Sequence, residues 1–440
     1  MTISVGIIEN KHIYFQLDNQ FLFEQVGQTV SGKFSATIFN KKILFCEKIY
    51  DELVFRNISN ATFTLFNVKI GINFHWEQVE NQHFAGSLKI VSNGKKLVAI
   101  NIIDIEKYLC SVISSEMSAM SFPELLKAHA VISRSWLLAN IESRAKNQEP
   151  RHENQNNFGL ENQRKFPILN SQFIKWYEND VHTLFDVCAD DHCQRYQGVG
   201  KDLIEAAKNA VEATKGEVLM YNGAICDTRF SKCCGGKTEL FSSCWADKDF
   251  DYLISKDDFL HFGLNAKLID LTDEKNAEKF ILSSPKCFCN TNNKEIINQV
   301  LKDFDKKTND FFRWKVFYSN RELSNILHEK SNIDFGKIVD LIPLKRGHSG
   351  RITLLKIVGT KKTINVGKEL EIRRWLSKSH LYSSSFVVKK NEKGDFTLYG
   401  AGWGHGVGLC QIGAAVMSAQ GYNYKQILTH YFENTKIVTV

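Results

Sequence analysis

Apolar and polar residues alternate along the first hundred positions, as in Ile13-Tyr14-Phe15-Gln16-Leu17 and Ser87-Leu88-Lys89-Ile90-Val91, and turn residues such as Ser92-Asn93-Gly94 separate the runs. A period of two with this punctuation predicts antiparallel strands, the last of them at 98–103. The pattern then changes. Residues 105–109 read as a short helix, and residues 123–146 carry the clearest helical pattern, opened by Ser121, Pro123 and Glu124. Further helices are expected at 202–214 and 321–330, with strands at 217–220 and 351–358. Tyr221-Asn222-Gly223 marks a turn, and two helices follow a glycine-rich loop at 400–413. The fold class is α+β: antiparallel-strand-rich lobes with a few helices enclosing a cleft. Residues 1–85 form an N-terminal β-rich segment and 86–440 a larger domain. Two insertions interrupt that domain, a polar Asn- and Gln-rich loop near 147–180 and a mixed segment near 262–345.

Composition narrows the class. With 43% hydrophobic and 24% charged residues in 440 positions, the chain is an ordinary globular protein. Only 5 prolines occur and no Pro- or Ser-rich linker, which favours one continuous elaborated unit over separate beads. The net charge of +7 suits an anionic polymer such as a wall glycan. The charge is not concentrated, and no nucleic-acid motif accompanies it, so no nucleic-acid partner is expected. The start, Met1-Thr2-Ile3-Ser4-Val5, reads directly as a strand, with no visible signal peptide. No run reaches the length of a transmembrane segment.

Candidate chemistry gathers at four places. Glu116, in Ser114-Ser115-Glu116-Met117, stands between a strand-like run and the 123–146 helix. There a carboxyl either serves as a proton donor at a cleft rim or simply complements the helix macrodipole. His182, Cys188, His192 and Cys193 fall within twelve residues and form a set of four zinc ligands; a Cys188–Cys193 disulfide or two buried thiols are the alternatives. Four protein ligands would make such a zinc structural. Among the 11 cysteines, Cys233 or Cys234 is placed to pair with Cys226 or Cys244, or Cys234 to act as a nucleophile with His405 as base. The loop Gly400-Ala401-Gly402-Trp403-Gly404-His405-Gly406-Val407-Gly408 brings backbone close to a ligand or strand. His405 in it is either structural or a group that orients a substrate oxygen.

These pieces occur in an order that resembles the stage II sporulation protein D / LytB domain family. The matching segments are Ser114–Met117, 126–134, 186–194, Cys234-Gly235-Gly236-Lys237-Thr238-Glu239, Gly350-Arg351, and the loop at 402–408 with Gln411 and Gly413. The resemblance implies a peptidoglycan lytic transglycosylase that cuts the MurNAc–GlcNAc β-1,4 bond and leaves 1,6-anhydroMurNAc ends, on glycan strands stripped of peptides. Glu116 would be the single catalytic acid/base. Arg134, Cys234, Trp403, His405 and Gln411 would meet substrate, with Trp403 stacking on a sugar. His182, Cys188, His192 and Cys193 would match a structural zinc site, and the chemistry itself would need no cofactor. Ser114 replaces a proline frequent in the family, and Cys234 replaces a serine. The implied location is the cell envelope, periplasm or cell surface. The implied partners are glycan strands and an N-acetylmuramoyl-L-alanine amidase; the alternative role is a noncatalytic wall-binding enhancer of that amidase.

Overall fold

The computed structural model describes residues 1–71, 77–118, 121–146, 171–177, 182–190, 192–199, 205–259, 269–300 and 310–440. Ten strands open the chain: β1 (Thr2–Asn10), β2 (His12–Phe23), β3 (Gln28–Phe39), β4 (Lys42–Phe45), β5 (Lys48–Tyr50), β6 (Glu52–Asn57), β7 (Thr62–Ile70), β8 (Gln78–Ala85), β9 (Ser87–Ser92) and β10 (Leu97–Asp104). They pair antiparallel in the order β5-β4-β3-β2-β6-β9-β10-β1, with β7 joining β2 to β8. The short strand Val187–Cys188 adds parallel to β1. Alternation explains the core. β2 buries Ile13, Phe15 and Leu17, shifts register, and then buries Phe21 and Phe23. The Phe55 ring lies 5.2 Å from Phe15 and 5.0 Å from Phe23. Each such buried ring contributes about 1.5–3 kcal/mol over an exposed one. β9 and β10 share this sheet, so the expected division at 85/86 runs through it.

The helices are α1 (Ile105–Glu116), α2 (Pro123–Lys146), α3 (Glu205–Ala213), α4 (Glu274–Leu282), α5 (Lys294–Val300), α6 (Asn320–Ser331), α7 (Glu369–Trp375), α8 (Gln411–Ala419) and α9 (Tyr424–Tyr431). Asp104, the last residue of β10, caps α1 by accepting the Glu106 N–H at 2.9 Å. α2 buries residues around its whole circumference, from Leu125 and Leu126 through Val131 to Trp136. A helix covered on all sides is a central one.

A second core lies in the C-terminal half. The strands Arg313–Tyr318, Phe386–Lys390 and Phe396–Ala401 form one antiparallel sheet. Ile338–Arg346, Ile352–Gly359 and Thr363–Gly367 form another, with Gln172–Ile174 parallel on its edge. Trp314, Leu323, Leu327, Phe335 and Trp375 fill this core. The segment expected as an insertion near 262–345 therefore supplies α6 and two of the strands. Of the loop expected near 147–180, residues 147–170 and 178–180 lie outside the described residues. The glycine-rich loop links the two cores, from Leu398 in the second to Val407 and Leu409 in the first.

Candidate active site

α1 does not stop at 109 but runs to Glu116, its last residue, with Met117 as C-cap. The apolar run Val112-Ile113 looks strand-like in sequence because a short apolar stretch does not distinguish strand from buried helix. Glu116 thus sits at a helix C-terminus, not a strand-to-helix junction. Its carboxylate cannot be there to complement a macrodipole, since that end of a helix favours cations. Glu116 is 8% exposed. Among the described residues no hydrogen bond or ion pair engages its carboxylate.

Arg134 is 1% exposed and fully committed within the protein. Its Nε and Nη2 donate to Glu106 at 3.0 and 2.6 Å, and its Nη1 donates to the Glu217 carbonyl at 2.9 Å. It braces α1 to α2 and to the strand Glu217–Tyr221.

His182, Cys188, His192 and Cys193 come together, their donor atoms all within 4.8 Å of one another. Cys193 Sγ lies 3.5 Å from both His182 Nε2 and His192 Nδ1, and Cys188 Sγ 3.8 Å from His192 Nδ1. Tetrahedral zinc, with bonds of about 2.0–2.3 Å, separates its ligands by about 3.3–3.8 Å, so the donor set fits. Interaction with Cys193, then burial, pushes the Cys188 thiol up to about 11, while the same interaction lowers Cys193. Neither forms a disulfide.

A buried polar chain leads away from this cluster. Tyr108 donates to Gln194 Oε1 at 3.2 Å, and Gln194 Nε2 donates to the Ser133 carbonyl at 3.3 Å. Ser133 Oγ lies 3.2 Å from His129 Nδ1, and Gln411 Nε2 lies 3.2 Å from His129 Nε2. An amide nitrogen only donates, so His129 Nε2 accepts and the ring proton sits on Nδ1, directed at Ser133. Burial, then the Lys232 charge, lowers His129 to about 3. Burial, followed by Cys193, Cys188, Tyr196 and Glu116, pushes the Tyr108 hydroxyl well above the ordinary tyrosine value. Tyr108 is therefore within electrostatic reach of both the thiol pair and Glu116. Sequence reading missed Tyr108, Gln194 and His129 as a set; the only local signal is the i, i+4 pair His129 and Ser133 on α2.

The glycine-rich loop is held from below. The fully buried Arg351 donates from Nε and Nη2 to the Gly404 carbonyl at 3.3 and 3.1 Å, and from Nη1 to the Cys234 carbonyl at 3.2 Å. Glu239 accepts the N–H groups of His348 and Ser349, both at 3.1 Å, and the Ser349 hydroxyl at 2.6 Å. His405 accepts the Val407 N–H on Nδ1 at 3.0 Å and meets the Trp245 ring edge-on. Burial, then Arg373, Arg229 and Arg351, drives it well below its ordinary pKa, so it is neutral. Trp403 packs 4.3 Å from Tyr382 and 4.6 Å from Phe311, centroid to centroid. The Gln411 amide is spent on His129. Cys234 is 3% exposed, beside Cys289 rather than Cys226 or Cys244, and burial pushes its thiol well above the usual value. Among the described residues no hydrogen bond joins Glu116 to His405, Gln411 or Trp403.

On this α+β scaffold the helix-end carboxyl of Glu116 and the thiols of the His/Cys cluster both act on Tyr108. Residues 93–221 match the family model described as Stage II sporulation protein, and residues 239–408 match Domain of unknown function (DUF8618). The chain is 26% identical to an uncharacterized protein of Brachyspira hyodysenteriae, over 81% of this chain and 72% of that one. It is 23% identical to the stage II sporulation protein D of Bacillus subtilis, over 77% and 76%. The amidase enhancer of Bacillus subtilis is 26% identical over 52% of this chain, a match that spans 32% of the enhancer. The chain is thus similar to SpoIID-like proteins, through the family model over residues 93–221 and through these relatives. No helix among the described residues is long and apolar enough to cross a membrane.

Proposed function

We propose that this protein is a lytic transglycosylase acting on peptidoglycan in the cell envelope, with Glu116 as its lone acid/base. The observation that carries the reading is the Glu116 carboxyl, 8% exposed and without a hydrogen bond or ion pair among the described residues. A carboxyl left unpaired at a helix C-terminus is costly for folding, and such costs collect at functional sites. Glu116 protonates the glycosidic oxygen between MurNAc and GlcNAc as that bond breaks. It then takes the proton of the muramyl 6-hydroxyl, which attacks the anomeric carbon and closes the 1,6-anhydro ring. No water is consumed. The second carboxylate that hydrolytic glycosidases use is not needed.

Zinc on His182, Cys188, His192 and Cys193 is part of the same proposal. It would pin the loop that carries Gln194 against Tyr108 on α1, and with it the helix that ends in Glu116. Arg134 acts through α1 in the same sense, as a positioning residue. Digestion of peptide-stripped glycan with product mass analysis tests the reading. Wild type is expected to yield 1,6-anhydro ends, and Glu116→Gln to lose about 10²–10⁴-fold in rate with a melting temperature no lower than that of wild type. Reducing ends alone would mean a hydrolase.

The similarity to an amidase enhancer favours one second reading, a wall-binding module that assists an N-acetylmuramoyl-L-alanine amidase. Under it, Glu116→Gln would stimulate an added amidase as well as wild type does, and neither would cut glycan.

A further inference from the structure

We propose that Cys234, Asp258, Cys289 and Cys410 form a second metal centre, a closed structural site for zinc. Their donor atoms all lie within 4.8 Å of one another, and all four residues are buried. Cys234 Sγ and Cys289 Sγ are 3.5 Å apart, close to the sulfur separation of about 3.8 Å that tetrahedral zinc imposes at its usual Zn–S bond length. A third thiol, Cys287, stands 3.8 Å from Cys289 at the edge of the group.

Two features of the surroundings point to a cation. Asp258 is wholly buried, yet no lysine or arginine among the described residues pairs with it. It accepts the Cys289 N–H at 2.9 Å and the Tyr431 hydroxyl at 2.7 Å, with His430 Nε2 at 3.8 Å. That His430 nitrogen is itself buried without a hydrogen bond. A carboxylate so placed costs several kcal/mol unless a charge of opposite sign joins it. Cys410 Sγ in turn receives the N–H groups of Cys234 and Gly413 at 3.2 and 3.4 Å. Backbone donors aimed at a sulfur are the outer support that a ligating thiolate takes. A cavity of about 170 Å³, bordered by Cys289, Phe311 and Ile412, reaches the group from outside.

The four ligands come from four separate segments. Cys234 follows the strand Phe230–Ser231, Asp258 lies in a loop, Cys289 precedes α5 and Cys410 caps α8. A metal there fastens the base of the glycine-rich loop and the start of α8, whose first residue, Gln411, bonds His129 on α2. The inference does not depend on the glycan-cleaving reading.

Metal analysis of the purified full chain, with zinc supplied during expression, tests it. Wild type is expected to hold two zinc ions per chain. A His182→Ala/Cys193→Ser variant, which dismantles the other cluster, should keep one. X-ray absorption on that variant should show a first shell dominated by sulfur at about 2.3 Å. Adding Cys289→Ser should remove the last ion. No zinc in the double variant, a shell of nitrogen and oxygen there, or a Cys234–Cys289 disulfide in non-reducing peptide maps would overturn the proposal. The metal content and sulfur shell of the double variant decide the matter even if the triple variant does not fold.

Discussion

Two ionisable residues expected to serve the proposed chemistry are treated in opposite ways. Glu116 is left without a partner, whereas Arg134 is saturated by Glu106 and the Glu217 carbonyl. The arginine side chain is 1% exposed and the glutamate 19%, so the pair is largely removed from water. Removing one member strands the other charge, and breaking such pairs costs about 3 kcal/mol or more. Arg134→Met is therefore expected to lower unfolding free energy by about 3 kcal/mol in urea titrations, with Glu106→Met added to it recovering part of the loss. A sugar-binding arginine would behave differently, losing activity with stability intact.

At the scale of elements, the glycine-rich loop owes its shape to contacts below it. Gly406 has φ +79°, and a Cβ there would run into the Arg351 guanidinium, which holds the Gly404 carbonyl. Gly421 has a similar φ of +87° but nothing within 4 Å of the same point. Gly421→Ala is expected to cost about 1–2 kcal/mol, the backbone term alone. Gly406→Ala should cost more, because Arg351 must also give up its carbonyls; thermal denaturation of the two variants side by side checks the difference. Much of this level was legible beforehand. The 321–330 pattern became Asn320–Ser331, and the Tyr221-Asn222-Gly223 turn appears with positive φ at Asn222 and Gly223. Period and turn chemistry are local, so sequence carries them. The length of α1 was not legible, because its buried end reads equally well as strand. Nor were the meetings of Gln411 with His129 and of Cys234 with Cys289 and Cys410. Those partners lie from 55 to 282 positions apart, and nothing in their spacing marks the approach.

The whole molecule carries a cost at acid pH that follows from histidines folded in neutral form. His129 is wholly buried at the centre of the chain linking the His/Cys cluster to α8, and burial holds it at about 3. His380 is lowered to about 3 as well, again chiefly by burial, and His405 is driven well down. In the unfolded chain each returns to about 6.5. Below that value the unfolded state binds protons that the folded state refuses, so stability is intact above pH 7 and falls as pH drops from about 6.5 towards 3. For His129 alone the loss at pH 5 is about 2 kcal/mol. Replacing it by glutamine keeps a donor and an acceptor near Ser133 and Gln411 but removes the titration. Urea titrations from pH 7.5 to 4.5 should therefore show a shallower acid slope for His129→Gln, by about 2 kcal/mol at pH 5. Any metal lost at low pH leaves both proteins alike, so the difference between the two slopes isolates the histidine. Equal slopes would mean that His129 takes up its proton in the folded state, and that the polar chain from Tyr108 to Gln411 is not closed to water.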